Sequence, residues 1–413
     1  MSRWKSFAVR SGVLLLILGG MPLLWYQSHY AQPLAPPTEK KLPSPNGYNT
    51  LIQATEAQVG QVRWVPPPDS YKESLAERKK LLAANQRFLD RTRDAIAQEF
   101  MVTDSYSEVG TYAAHLGQLY FLGQTYADSG NYSEALRCAL DMLELGLMAP
   151  RGGDLTAREA GHLEEKDGRH RAWQIVEHIE GKSAREAALR LEKMEEKRWP
   201  LPESLREELQ QRNNGSRFLE FKDGPIFLWE RLALGNTETY SQSYPTTRDT
   251  TPFWERVKTV YGGPKALEDA AATWVKWAEE QADRPWNPAR SWGIPDGPLS
   301  QESFLQTHYS DLELSEAYTR TESSLLRGYL ALHAYKREHG AYPESLATLV
   351  TKGYLHRVTP DPFSSTFDPL QYQPGGKLWS VGPDGKDNGG KSTGAEAGEW
   401  TSGQPSGDGG PWR

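Results

Sequence analysis

Apolar residues recur every three or four positions through most of this chain, with Lys, Arg, Asp and Glu between them, which predicts a mainly α-helical protein. Over residues 70–101 the apolar set Leu75, Leu82, Phe88, Leu89, Ile96 and Phe100 predicts one amphipathic helix resting on a core. Over 113–149 the pattern predicts two antiparallel helices. Gly123 and Ala135 are small enough to let them approach, Leu119, Leu122 and Tyr126 fill the groove, and Gly130-Asn131 makes the turn. Two further helices are expected over 155–180 and 183–197, the second opened by a capping box at Ser183 and Glu186 and stopped by Pro200 and Pro202. A short helix over 205–211 follows. Another, over 264–281, carries Leu267, Ala271, Trp274, Trp277 and Ala278 on one side. A last long helix is expected to open at the capping box Ser310–Glu313 and to end at Gly340; Pro343 then starts a short helix over 344–350, closed by Gly353. Residues 370–372 and 377–381 read as two short strands joined across Pro374-Gly375-Gly376.

The offsets of Leu119, Leu122-Gly123, Tyr126, Gly130 and Ala135 resemble one tetratricopeptide repeat, although Met142 and Leu147 stand where that pattern has smaller residues. No second copy follows, so the expectation is a helical hairpin inside a larger α-helical domain. Upstream, Arg3, Lys5 and Arg10 precede an apolar run over 11–26 that ends in Trp25-Tyr26. Counted from Phe7, the run reaches the ~20 residues that span a bilayer, with the basic end held on the cytoplasmic side. A single-pass anchor is the expectation. A cleaved signal peptide is the rival, served by poor cleavage sites ending at Ala31 and Ala35, where His29 and Pro33 stand two residues upstream in place of a small residue. Either places the bulk of the chain outside the cytoplasm, held off by a spacer rich in proline. The organisation expected is an anchor or signal over 1–31, a linker over 32–68, a helical domain over 69–309 with an irregular tryptophan-rich part, an α+β module over 310–390, and a disordered tail over 391–413.

The α+β module carries a family resemblance. Gly340/Tyr342/Pro343, Leu346/Leu349, Asp361/Pro362/Phe363, Tyr372 and Ser380/Gly382/Asp384/Gly385 follow the long helix in the order found in the globular domain of the major pseudopilin of type II secretion, the pseudopilin G family, which the module resembles. The resemblance implies a long helix packed on a small antiparallel sheet, a bacterial inner-membrane setting, and a calcium ion on the loop after Ser380. Asp384 matches the family's first carboxylate. The second is replaced by the region of Lys391-Ser392-Thr393, which leaves Asp387 and Asn388 as the substitute oxygen ligands. A loop rich in Asp, Asn and Gly also turns without any ion. The N-terminal segment lacks the form of a pseudopilin leader, so polymerisation as a pseudopilin is not expected.

Composition narrows the chemistry. A net charge of −7 with no dense Lys/Arg block excludes a nucleic-acid surface. One cysteine, Cys138, excludes an intramolecular disulfide and reads as a small buried residue. No HExxH, GxSxG or Walker pattern occurs. His162, His170 and His178 lie about 12 Å apart along a helix at 1.5 Å per residue, too far to share one ion, and read as solvated, as does the Glu-rich run 192–197. The expected function is that of a membrane-anchored extracytoplasmic structural or interaction protein with a protein partner and no enzymatic activity. One alternative is an envelope hydrolase for glycan or peptide, using Glu230, Glu255 and Asp269 among Trp229, Trp254, Trp274, Trp277, Trp286 and Trp292. The other is an accessory component of a type II secretion system.

Overall fold

A computed structural model of the protein describes residues 41–60, 73–103, 109–210, 269, 271–282, 284, 303–390 and 400–401. The expected anchor over 1–31 lies outside them, as do residues 32–40 and 61–68 of the expected linker. Residues 41–60 of that linker are described and carry a helix, Gly47–Glu56, whose Tyr48 and Leu51 are buried in a hydrophobic core, so this stretch is part of the folded body and not a spacer. Among the described residues no helix is long and apolar enough to cross a membrane. The chain divides into two compact units. The first comprises residues 1–40, 206–279 and 294–308. Within it the helical residues 271–279 bury Ala271, Trp274, Val275 and Ala278 on one side, the face the sequence predicts, and Arg206 pairs with Glu279 at 2.5 Å.

The second unit comprises residues 41–205, 280–293 and 309–413 and is mainly helical with a small antiparallel sheet. Its helices are α1 Gly47–Glu56, α2 Leu75–Ala84, α3 Gln86–Ala97, α4 Val109–Asp128, α5 Tyr132–Met148, α6 Leu155–Ile175, α7 Gly181–Glu195, α8 Ser303–His339 and α9 Leu346–Thr351. The opening residues of α8 belong to the first unit. The expected helix over 70–101 is two, because Asn85 breaks it. Its buried side chain holds the Val59 backbone through N–H and C=O, at 2.9 and 2.8 Å, and a residue so engaged turns the chain at φ −100° and ψ 13°. The start signal for α2 is the capping box Ser74/Glu77. Ser183 and Ser310, expected to open helices, lie inside α7 and α8 instead, since those helices begin earlier, at Gly181 and Ser303. The hairpin α4/α5 forms as predicted, with Gly130 at φ +78° in the turn and Asn131 capping Glu134.

α5 is buried from Ala135 to Met148 on almost every side, because it serves two cores at once. Cys138, Met142, Leu145 and Met148 pack with α1–α4. Ala135, Leu136, Ala139, Leu140, Leu143 and Leu147 pack with α6, α7, the second half of α8, and Leu346, Leu349, Leu370 and Leu378 beyond it. The core therefore runs without a break through the expected boundary at 309/310, which falls inside α8. Asp141, also buried on α5, is clamped by Arg93 of α3 at 3.0 Å and Arg190 of α7 at 2.6 Å. Strands β1 Gln371–Gln373 and β2 Lys377–Ser380 pair antiparallel with Tyr372 opposite Leu378, as the hairpin pattern predicts. A third strand, β3 Trp400–Thr401, adds to β2 from a stretch expected to be without structure.

Gly123 does allow the approach of α4 to α5, since a Cβ there would stand 3.1 Å from the Cβ of Cys138. Closer helix contacts lie elsewhere, above all between α5 and α6 where three glycines take part. A Cβ on Gly161 would meet the Gly146 carbonyl oxygen at 2.5 Å, one on Gly146 would meet the Gly161 oxygen at 2.7 Å, and one on Gly168 the Ala139 oxygen at 2.7 Å. In a free helix Gly161→Ala would gain ~1 kcal/mol of propensity, yet here it should cost a net ~2–3 kcal/mol, because the obstructing atoms are backbone. Urea denaturation measures this. An unchanged or higher midpoint would mean that α5 and α6 are free to separate.

Candidate functional site

Two of the motifs quoted for the resemblance, the Asp-Pro-Phe turn and the Ser380 loop, meet around one carboxylate. Asp361 is fully buried. Its Oδ1 accepts from the Phe363 backbone N–H at 3.0 Å and from the Ser380 hydroxyl at 2.8 Å, and its Oδ2 accepts from the Val381 N–H at 2.8 Å. Ser380 Oγ in turn accepts from the Gly382 N–H at 3.1 Å. One side chain thus closes the Asp-Pro-Phe turn and ties it to the end of β2, where the Asp384 loop begins. Burial pushes the Asp361 carboxyl above its usual range, and the three hydrogen bonds pull it only part of the way back. Phe363 packs edge-on to Tyr318 of α8, with ring centres 5.2 Å apart. The Gly-x-Tyr-Pro step has its own partner, since the Tyr372 hydroxyl donates to the Pro343 carbonyl at 2.7 Å and Gly376 lies beneath the Tyr342 ring.

The three residues expected to hold calcium sit together on this loop, all exposed. Asp384 Oδ1 accepts from the Lys386 N–H at 3.1 Å. Asp387 Oδ1 accepts from Trp379 Nε1 at 3.0 Å and from the Gly389 N–H at 2.9 Å, and Asn388 donates to the Lys386 carbonyl at 3.2 Å. The Lys377 ammonium donates to the Gly389 carbonyl at 2.5 Å and lies 5.0 Å from the centre of the Trp379 ring. These bonds close the turn through one oxygen of each carboxylate and the amide group of Asn388, with the Lys377 ammonium beside the loop, which is an arrangement that a turn rich in Asp, Asn and Gly adopts without an ion. Among the described residues no group of three or more His, Cys, Asp and Glu converges as a metal-ligating set.

Charge is also buried between α6 and α8. Arg198 grips Glu165 with two hydrogen bonds, at 2.9 and 2.7 Å, and Glu195 at 3.0 Å. Arg158 reaches Glu316 at 3.3 Å and the Trp199 carbonyl, Arg169 reaches Glu322 at 2.9 Å, and Arg320 reaches Glu195 at 3.0 Å. His162 lies between the Ser315 hydroxyl at 3.1 Å and Glu316 at 2.8 Å. That geometry has the outline of a proton relay, but Glu316 is a poor proton acceptor. Burial pushes its carboxyl up, and Arg158, Arg198 and His162 outweigh burial and hold it well below the usual carboxylate range. Glu316 is therefore a fixed counter-ion that orients the helices.

His162 was expected to be solvated and is buried, whereas His170 and His178 are exposed, as expected. Glu192 departs in the same way. It is buried and accepts from the backbone N–H groups of His356 and Arg357 at 2.9 and 3.0 Å, and Glu195 lies inside the charge cluster. Spacing was the signal for this cluster. Arg158, His162, Glu165 and Arg169 fall on one helical face at steps of four, three and four. Cys138 is a buried thiol, as expected. Of the carboxylates proposed for a hydrolase, Asp269 is exposed, and Glu230 and Glu255 lie outside the described residues, as do Trp229, Trp254, Trp286 and Trp292. No protein-family model, curated protein or solved structure matches the chain. The resemblance to pseudopilin G rests on the motif residues and their order.

Replacing Asp361 by Ala should leave the donors at Phe363, Ser380 and Val381 without an acceptor in a buried site, at ~3–5 kcal/mol in total. Asp361→Asn keeps one acceptor oxygen and should lose less. Denaturant titration of both variants tests this, and a loss below ~1 kcal/mol in the alanine variant would show that the carboxylate does not hold the turn to the strand.

Proposed function

We propose that this chain is a membrane-anchored, extracytoplasmic structural or interaction protein whose C-terminal part is a pseudopilin-G-like module joined to a helical body. The observation that carries the reading is the Asp361 junction. The residues that give the module its resemblance are the ones that pack and bond to one another, in the order long helix, Gly-x-Tyr-Pro step, short helix, Asp-Pro-Phe turn, hairpin and loop. Chance matches scattered over a surface would have no reason to interlock. The charge cluster also favours this reading over an enzyme, because its carboxylates are engaged by guanidinium groups. A protein partner would recognise the fixed loops and strand edges of such a module rather than undergo chemistry there.

Fusion of a phosphatase that needs disulfide oxidation to the C-terminus tests the location. The fusion should be active in a bacterial host, because such bonds form outside the cytoplasm. An inactive phosphatase, paired with an active cytoplasmic reporter at the same junction, would overturn the reading.

Calcium at Asp384, Asp387 and Asn388 is implied by the resemblance and is not required by this reading. The full chain should melt at the same temperature with calcium as with chelator, because a ligand raises the melting temperature only if it binds the folded state. A rise that chelator reverses would assign the loop as a calcium site and extend the resemblance to its chemistry.

A further inference from the structure

α1 is seated on the body through groups that carry no charge. The Gly47 N–H donates to the Glu99 carbonyl at 2.8 Å, and the Asn46 side chain bonds the Met101 C=O and N–H at 2.8 and 3.0 Å. Thr50 donates to the Gln98 side chain and Gln58 to the Gln118 side chain, both at 2.8 Å. Tyr48 stands edge-on to Phe100, with ring centres 5.7 Å apart, and Leu51 is buried in the same core. None of these groups changes its charge between about pH 4 and 8.

One buried group in this seam does. His115 of α4 has only 1% of its surface exposed. Its Nδ1 lies 3.2 Å from the Thr55 hydroxyl of α1 and its Nε2 2.9 Å from the Thr92 hydroxyl of α3, and its ring centre is 4.5 Å from that of Phe88. The Thr92 hydroxyl already donates to the Phe88 carbonyl at 2.8 Å, so it accepts from Nε2–H, and Nδ1 is left to accept from Thr55. A neutral ring is thus fully bonded. Among the described residues no charged side chain is paired with it. On the three helices Glu56, Arg87, Asp90 and Asp94 are exposed, Arg91 is half-exposed, Arg93 is bound to Glu134 and Asp141, and Asp128 to Arg78.

A second proton would place a cation between two hydroxyls in an apolar core, with no carboxylate to offset its desolvation. Burial accordingly pushes the ring down to about 3 from its ordinary 6.5. A ring released to water takes up its proton near 6.5, so the contribution of His115 to docking is complete above that pH and is lost progressively as pH falls from 6.5 towards 3. We infer that His115 is an acid-sensitive latch for α1: proton uptake by the released ring favours an open seam between α1, α3 and α4, and uncovers the apolar faces of Tyr48, Leu51 and Phe88. The latch is specific to α1 because the Thr55 hydroxyl is the part of that helix bonded to the ring.

Hydrogen exchange of the full chain at about pH 7.5 and pH 5, corrected for the intrinsic exchange rate, tests this. Protection of the amides of residues 51–55 should fall about thirtyfold between the two. Protection of residues 187–191 in α7, which belong to the other core, should change far less. His115→Phe leaves the Thr55 and Thr92 hydroxyls on the Leu51 and Phe88 carbonyls and should abolish the fall. The proposal is overturned if α1 is equally protected at both pH values, if α7 loses as much as α1, or if the variant keeps the full pH dependence. Should that variant fail to fold, the imidazole signals of the native chain decide. A His115 ring that is protonated at about pH 5 while α1 stays protected removes the latch, and a neutral ring accompanied by the loss of α1 protection supports it.

Discussion

Where α5 and α6 cross, their backbones are separated by nothing but hydrogen atoms. Gly146 faces the Gly161 carbonyl and Gly161 faces the Gly146 carbonyl, with Gly168 repeating the approach one level away. Dispersion falls steeply with distance, so such closeness gives many contacts per residue, but only to the one register in which glycines meet. That register decides which side of α5 is left for α1–α4 and which for α7 and α8. The clamp of Arg93 and Arg190 on Asp141 then holds the flanking helices to the same centre from opposite sides.

The second constraint is electrical. Arg158, Arg169, Arg198 and Arg320 stand among Glu165, Glu195, Glu316 and Glu322, so the named charges cancel in number. Each would cost several kcal/mol if buried alone, and their mutual attraction offsets that cost only when the geometry is met. A wrong sliding of α8 along α6 would strand more than one of them. An apolar interface could be as stable and would forbid less. The same logic explains the buried Glu192, which accepts from backbone N–H groups at the start of the segment leading into the Asp361 turn.

The elements most legible in the sequence were those whose signal is local. Gly130-Asn131 marked the α4/α5 turn, Gly340 and Gly353 marked helix ends through positive φ, and Pro374-Gly375-Gly376 marked the hairpin. What failed to show depended on residues distant in sequence. Asn85 breaks a helix because it is needed by Val59. Ser310 looks like a cap, yet the helix runs through it. Charged residues at 158, 162, 165 and 169 form a stripe of helical period, but charge alone reads as a solvated face, and only the arrival of α8 makes it an interior. For the loop at Asp384, the sequence showed a cluster of oxygen donors. It could not show that Trp379, Lys377 and the loop's own backbone already engage several of them.

Because α5 belongs to a core that is completed only by Leu330, Leu349 and Leu378, assembly must wait on the order of synthesis. A chain growing at ~5–20 residues per second brings Leu330 out roughly ten to forty seconds after Leu140. Through that interval Leu136, Leu140, Leu143 and Leu147 can meet α6 and α7 but lack the cover that α8 and the segment beyond it will supply. Contacts of such long sequence separation also slow folding itself, since loop closure must come before its reward. The nascent protein thus passes through a half-built state with an open apolar flank, the condition under which holding factors bind and premature association begins.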